Sequence, residues 1–215
     1  MTNTKRKAIV ILGFPASGKG TQAEILANRI KAEIFGVGEL VRDEMKNGDK
    51  NSQRVKIIKE LYDHGEPQKD EIVEKLIENV VSKTSGNLIF DNYPFSKNQI
   101  RFFETVVKKY NFEQPIIIFI DIDPESSIKR VSKRLVCDNC KKIFMAASLG
   151  GKCDRCGGHL IQRPDDTAKI MQERVEHAKS RIDLVMKHFE GEGSVHIIDG
   201  EKTVSQVAKQ IEKVL

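Results

Sequence analysis

The sequence predicts an α/β fold, a parallel sheet with helices packed on both faces. Three observations carry that expectation. Short apolar runs rich in branched residues recur at 8–12, 87–90, 116–122 and 195–198, and a continuous apolar run marks a strand buried on both faces. Longer stretches of helical spacing lie between them, the alternation of a parallel sheet. The first run also passes straight into a glycine-rich loop that opens a helical stretch.

Taken in order, the strand at 8–12 leads through that loop to a helix at 21–30. Residues 40–65 read as two short helices joined by the polar turn 47–52, inserted where a compact unit would pass directly to its next strand. A helix at 70–81, a strand at 87–90, a helix at 97–108, a strand at 116–122 and a helix at 126–134 follow. Residues 136–162 hold all four cysteines and much of the glycine. They read as a small loop-rich subdomain organised by metal rather than by a core. A long helix at 166–189, a strand at 195–198 and a helix at 203–215 close the chain. Both inserted stretches are candidate moving flaps, and no internal repeat interrupts the pattern.

With 215 residues, 39% hydrophobic and 31% charged, the composition fits one soluble globular unit and excludes collagen-like, disordered and membrane-spanning chains. A chain of this length buries roughly 70% of its unfolded surface, so a core forms without disulfide staples. The net charge of +5 suits a phosphate-bearing small molecule as well as nucleic acid. The apolar run at 8–12 is too short for a signal or transmembrane segment, so a cytoplasmic location is expected. The cysteines form two close pairs, Cys137/Cys140 and Cys153/Cys156. In a chain with no secretory signal that pattern favours a metal site over a disulfide framework.

The loop GFPASGKGT, residues 13–21, has the context a phosphate-binding loop needs. Its glycines let backbone N–H groups converge on phosphate oxygens, the helix N-terminus adds its positive dipole end, and Lys19 can reach between terminal phosphates. Ser or Thr usually follows the lysine directly, whereas here Gly20 precedes Thr21. The two Cys-x2-Cys knuckles are 12 residues apart, a spacing over which both close on one tetrahedral ion, for which zinc is the expected metal. A labile disulfide or an unmetallated lid are the alternatives.

With Gln22 the loop reads GKGTQ, and here the chain resembles the adenylate kinases with a zinc-bearing lid. The resemblance spans essentially the whole sequence. It includes residues 38–42 as a counterpart of T-G-D-x-x-R, 91–99 as a counterpart of D-G-F-P-R-x-x-x-Q, the four-cysteine lid, and Arg163–Asp165–Asp166 with the later Arg174 as a counterpart of R-x-D-D and its arginine. It implies a P-loop NTPase-like parallel five-stranded sheet flanked by helices, with a helical NMP-binding insertion and a zinc-binding lid. The implied division is a core of 1–35, 69–133 and 167–215, a flap at 36–68 and a lid at 134–166.

By the same resemblance the reaction is reversible phosphoryl transfer from Mg-ATP to AMP. Lys19, Arg134, Arg163, Arg174 and Asp91 are the implied catalytic set, with Asp91 supporting Mg²⁺ through water. Gly13, Ala16, Ser17, Gly18, Gly20, Thr21, Arg130 and Lys202 would join Lys19 and Arg134 around ATP. Val37, Gly38, Arg42, Gln68, Asn92, Phe95 and Gln99, with Arg163 and Arg174, would surround the monophosphate. Cys137, Cys140, Cys153 and Cys156 would hold a structural Zn²⁺. Guanidinium forks suit the charge that spreads over the transferring group's oxygens, and no general base is required because the attacking phosphate is already anionic. Asp165 and Asp166 match the acidic pair of a lid hinge, or simply cap the long helix. The expected partners are ATP and a nucleoside monophosphate, with neither nucleic acid nor membrane, for a monomer.

Departures cluster on the monophosphate side. Asn92, Tyr93 and Phe95 stand where the resembled pattern has glycine, phenylalanine and a phosphate-gripping arginine. Val37 replaces threonine, Glu39 aspartate, and Ala16 a glycine of the phosphate loop. Loss of the charge-assisted fork at Phe95 predicts weak AMP binding, with Arg42 and Arg163 partly compensating. Two rival readings follow: a kinase of another acceptor, such as a pyrimidine or deoxy monophosphate, and a catalytically weak nucleotide-binding or zinc-ribbon module. Gln99 counts against the first, and Lys19, Asp91 and the arginines against the second.

Overall fold

The computed structural model describes residues 5–64, 66–145, 148–162 and 168–215. Its centre is strand β1 (Ala8–Gly13), buried at every position. Helix α1 (Lys19–Ile30) returns the chain to β2 (Ala32–Gly36), after which α2 (Val37–Asn47), α3 (Gln53–Asp63) and α4 (Asp70–Val81) precede β3 (Asn87–Asp91). Then come α5 (Lys97–Lys109), β4 (Ile116–Asp121), α6 (Pro124–Ser132) and three short strands, β5 (Leu135–Cys137), β6 (Ile143–Phe144) and β7 (Leu160–Ile161). Helix α7 (Ala168–Phe189), β8 (Val195–Asp199) and α8 (Val204–Glu212) complete the order.

The main sheet has five strands in the order β2-β3-β1-β4-β8, every pair parallel. Alternate residues of β1 serve opposite faces. Val10 and Leu12 join a core built with Val73 and Ile77 of α4, Phe103 of α5 and Ile182 and Phe189 of α7, while Ile9 and Ile11 pack on Leu26 of α1 and Val207 and Ile211 of α8. Burial on both faces explains why these strands read as unbroken apolar runs. Leaving β1, the chain turns first toward β2 and β3 and later toward β4 and β8, so a crevice opens at the carboxyl ends of β1, β3 and β4 where the order reverses.

The main sheet contains one strand that apolar runs did not mark. β2 lies at the sheet edge, pairs Ala32–Gly36 with Asn87–Asp91, and buries Phe35 while Glu33 meets the Thr84 hydroxyl at 3.2 Å. The two insertions have small cores of their own. Val41 and Ile58 meet Ile72 and Leu76 between α2, α3 and α4. Leu135, Cys137, Cys153 and Leu160 form a four-residue cluster on the antiparallel sheet β6-β5-β7. So few apolar side chains cannot hold a fold alone.

Candidate active site

The β1–α1 loop is shaped by close approach. A Cβ on Gly13 would lie 2.8 Å from the Ile120 carbonyl oxygen, so only glycine fits beside β4. Gly18 has φ +96° and Ala16 φ 55°, and alanine bears a steric cost in this left-handed region that glycine avoids. Helix α1 starts at Lys19 with no side-chain cap and no acidic residue in its first turn. Its free amides and positive dipole end therefore face the crevice, an arrangement that attracts an anion.

Lys19 folds back over the loop, and its ammonium donates to the carbonyls of Gly13 and Phe14, each at 2.9 Å. Burial lowers its pKa, opposed by the charge of Asp91 and reinforced by Arg134. Asp91, at the end of β3, is shifted the other way, because burial raises its carboxyl pKa and only the Lys19 charge opposes it. One oxygen of that carboxylate, Oδ1, is buried without a hydrogen-bond partner among the described residues. Asn92 follows at φ 61°; asparagine is among the few residues other than glycine that tolerate this conformation, which accounts for its standing where glycine was expected.

Two cavities meet here. The larger, about 1010 Å³, runs from the phosphate-binding loop and Thr21 past Arg130, Arg134 and Arg174 to Lys202, Thr203 and Val204. The smaller, about 560 Å³, lies between α2 and the β3–α5 segment, walled by Val37, Gly38, Arg42, Gln68 and Gln99. They share Pro67, Asp91, Asn92, Phe95 and Arg181. Six buried side-chain polar atoms lack a partner among the described residues, and five belong to residues lining the cavities: Ser17, Gln22, Gln68, Asp91 and Asn92. Unpaired buried polar groups are costly, and their concentration here marks a surface built to meet polar ligands.

The nucleotide-binding and catalytic residues expected from sequence thus line one cavity or the other, except Arg163, which with Asp165 and Asp166 lies outside the described residues. Their settings differ. Arg130 is held by the Gly200 carbonyl at 3.0 Å and the Glu201 carboxylate at 2.9 Å, and Lys202 lies 3.5 Å from Asp199. Arg134 is nearly buried and faces Lys19 electrostatically. The Gln99 amide already has two partners, the Phe95 N–H at 2.9 Å and Asp70 at 2.7 Å. Residues not expected from sequence include Arg181, His177, Ala178 and Asp70. The first three follow Arg174 at helical spacing, so that 174, 177, 178 and 181 form one stripe along α7 facing the larger cavity. That spacing was the available signal.

The four cysteine sulfurs lie within 4.8 Å of one another, with Cys137 to Cys156 at 3.4 Å and Cys140 to Cys153 at 3.6 Å. Zn–S bonds of about 2.3 Å in a tetrahedron put sulfurs about 3.8 Å apart, so this set fits zinc. The knuckles are similar in backbone: Lys141 and Gly157, each just past its second cysteine, have φ 61° and 73°. A Cβ on Gly158 would come within 2.7 Å of the Cys137 sulfur. Hydrogen bonds from the Gly158 amide, Cys140 and Cys137 lower the Cys156 pKa to about 6, while at Cys140 the opposing hydrogen bond from the Lys142 backbone is outweighed by desolvation and the thiol contacts, which push its pKa up to about 12. No helix among the described residues is long and apolar enough to cross a membrane.

The adenylate kinase family model matches residues 11–194. An adenylate kinase of Petrotoga mobilis is 31% identical over 211 residues, covering 96% of this chain and 96% of that protein. One from Lactococcus lactis subsp. lactis is 31% identical over 216 residues, covering 96% of this chain and 99% of its own length. One from Ruminiclostridium cellulolyticum is 28% identical over 213 residues, covering 96% and 98%.

Proposed function

The chain belongs to the adenylate kinase family, and from that premise we propose that its two cavities carry the family's reaction, reversible phosphoryl transfer from Mg-ATP to AMP giving two ADP. The observation that supports this most is the shared wall. A donor cavity built on the phosphate-binding loop and a smaller acceptor cavity meet at Asp91, Asn92, Phe95 and Arg181, so two nucleotides can lie phosphate to phosphate. The larger cavity lies on the β1–α1 loop, so charge passing from it toward the junction stays near Lys19. The experiment is a coupled assay with Mg-ATP across a panel of monophosphates, in which AMP is the expected preferred acceptor.

In this reading Lys19 leaves the Gly13 and Phe14 carbonyls for the terminal phosphates, exchanging two neutral acceptors for anionic ones that bind it more strongly. The Gly18–Gly20 amides and the α1 dipole hold the same phosphates. Arg134 and Arg174, with Arg163, stabilise charge on the transferring group. A bound Mg²⁺ would neutralise part of the negative charge of the ATP phosphates. Asp91 is the residue that fits it: its unpartnered buried Oδ1 can accept from a water of the ion's hydration shell. Gln99 would read the adenine edge by exchanging one present partner, and Arg42 would hold the acceptor phosphate.

We assign residues 36–68 as a flap and 134–166 as a lid, with the remainder as core. Closure of both would expel water and so restrict transfer to the bound acceptor. A single chain forms both cavities, which supports a monomer, and four reduced cysteines suit the cytoplasm. Zinc in the lid serves stability and stays apart from the chemistry. Protein purified without added metal is expected to contain about one zinc per chain by elemental analysis. Chelation should lower the unfolding temperature of the lid before that of the core, and a disulfide in place of metal would contradict the assignment.

A further inference from the structure

We propose that Arg181 supplies the guanidinium that grips the acceptor's phosphate, in place of the arginine that Phe95 displaces; the inference rests on the transfer reaction proposed above. Among the described residues Arg181 is the one cation that lines both cavities. It lies one α7 stripe-length from Arg174, seven residues and about two turns along the same face, at the junction where the transferring group must pass. Its guanidinium carbon stands 5.8 Å from the centroid of the Phe95 ring, within the distance at which an aromatic face attracts a cation.

The aromatic residue therefore becomes a platform for a charge carried by another element. Arg181 is exposed, and no hydrogen bond or ion pair engages it among the described residues. Its planar fork is thus available to a phosphate, which it can hold through two parallel N–H···O bonds. The smaller cavity needs such a group. Among the described residues its other lining cation is Arg42, and a monophosphate ester near neutral pH carries close to two negative charges. Phe95 and Arg181 together restore the lost charge from the helix side of the cleft, leaving the ring to shield the site from water.

Steady-state kinetics with AMP and ATP test the assignment. Arg181→Ala should raise the KM for AMP by about 10-fold to 150-fold, the loss of one charge-assisted grip, with kcat and the KM for ATP changing far less. Arg181→Lys should fall between, keeping the charge and losing the fork. Competitive inhibition by adenosine, which lacks the phosphate, should be the same in parent and variant. Phe95→Arg should bring no gain in the parent, where two guanidinium groups would crowd one place, yet should lower the KM for AMP by about 10-fold or more in the Arg181→Ala background. An unchanged KM for AMP in folded Arg181→Ala, from a parent active with AMP, overturns the inference and leaves the transfer reaction standing. Equal loss of adenosine and AMP binding also overturns it, since that is the mark of a general structural role. A parent that transfers nothing to AMP overturns both.

Discussion

Lys19→Met is expected to lower kcat by about 10³-fold or more, the scale on which loss of a phosphate-clamping cation acts in phosphoryl transfer. The ammonium sits where loop carbonyls converge, beside the carboxylate of Asp91, and no second cation of the loop can take its place. Methionine keeps the stem's packing and removes the charge, so the variant should remain folded. Stopped-flow or coupled kinetics on protein with a parent-like circular dichroism spectrum would measure the effect. Near-parent turnover would show that the nucleotide binds elsewhere.

Asp91→Asn should cost about 10²-fold or more in kcat and shift the Mg²⁺ requirement to higher concentration, because the buried Oδ1 that lacks a protein partner would no longer carry charge. The same substitution leaves Lys19 without the carboxylate that opposes its burial. It should therefore lower stability by about 1–3 kcal/mol, as should Lys19→Met, which isolates Asp91. Together the two substitutions remove both charges, and the double variant should be more stable than the sum of the single losses. Urea denaturation of the four proteins measures the coupling. Strict additivity would mean that Lys19 and Asp91 do not form a working pair, and an unaltered Mg²⁺ dependence in Asp91→Asn would place the ion's support elsewhere.

How far the sequence showed this depends on whether the determinants are contiguous. The phosphate-binding loop, the central strands and the cysteine knuckles were legible because each is a short continuous pattern with a local cause: tight backbone approach at Gly13, burial on both faces in β1 and β4, ligand spacing in the lid. β2 was not marked. It follows α1 through Lys31, which itself adopts φ 51° where a glycine would have announced the helix end, and as an edge strand it buries Phe35 but not Glu33 or Ile34. Arg181 was hidden for a different reason. Its partner ring belongs to the segment after β3, and nothing local in either stretch shows that α7 crosses above it. The periodic stripe from Arg174 to Arg181 was readable, but only the fold says which face of α7 looks into the cleft. Gln99 shows a third case: the residue was found, and while its tie to the Phe95 amide is local, its tie to Asp70 comes from a helix two elements away.

The most direct test of the account starts from ADP alone. Purified protein incubated with Mg²⁺ and ADP, followed by ³¹P NMR, should produce ATP and AMP in equal amounts until equilibrium, and the same equilibrium should be reached from ATP plus AMP. Replacing AMP by CMP, UMP, GMP or dAMP in the second arm should slow the approach. ADP that persists unchanged, inorganic phosphate appearing instead of AMP, or faster transfer to another monophosphate than to AMP would contradict the assignment of the two cavities to ATP and AMP.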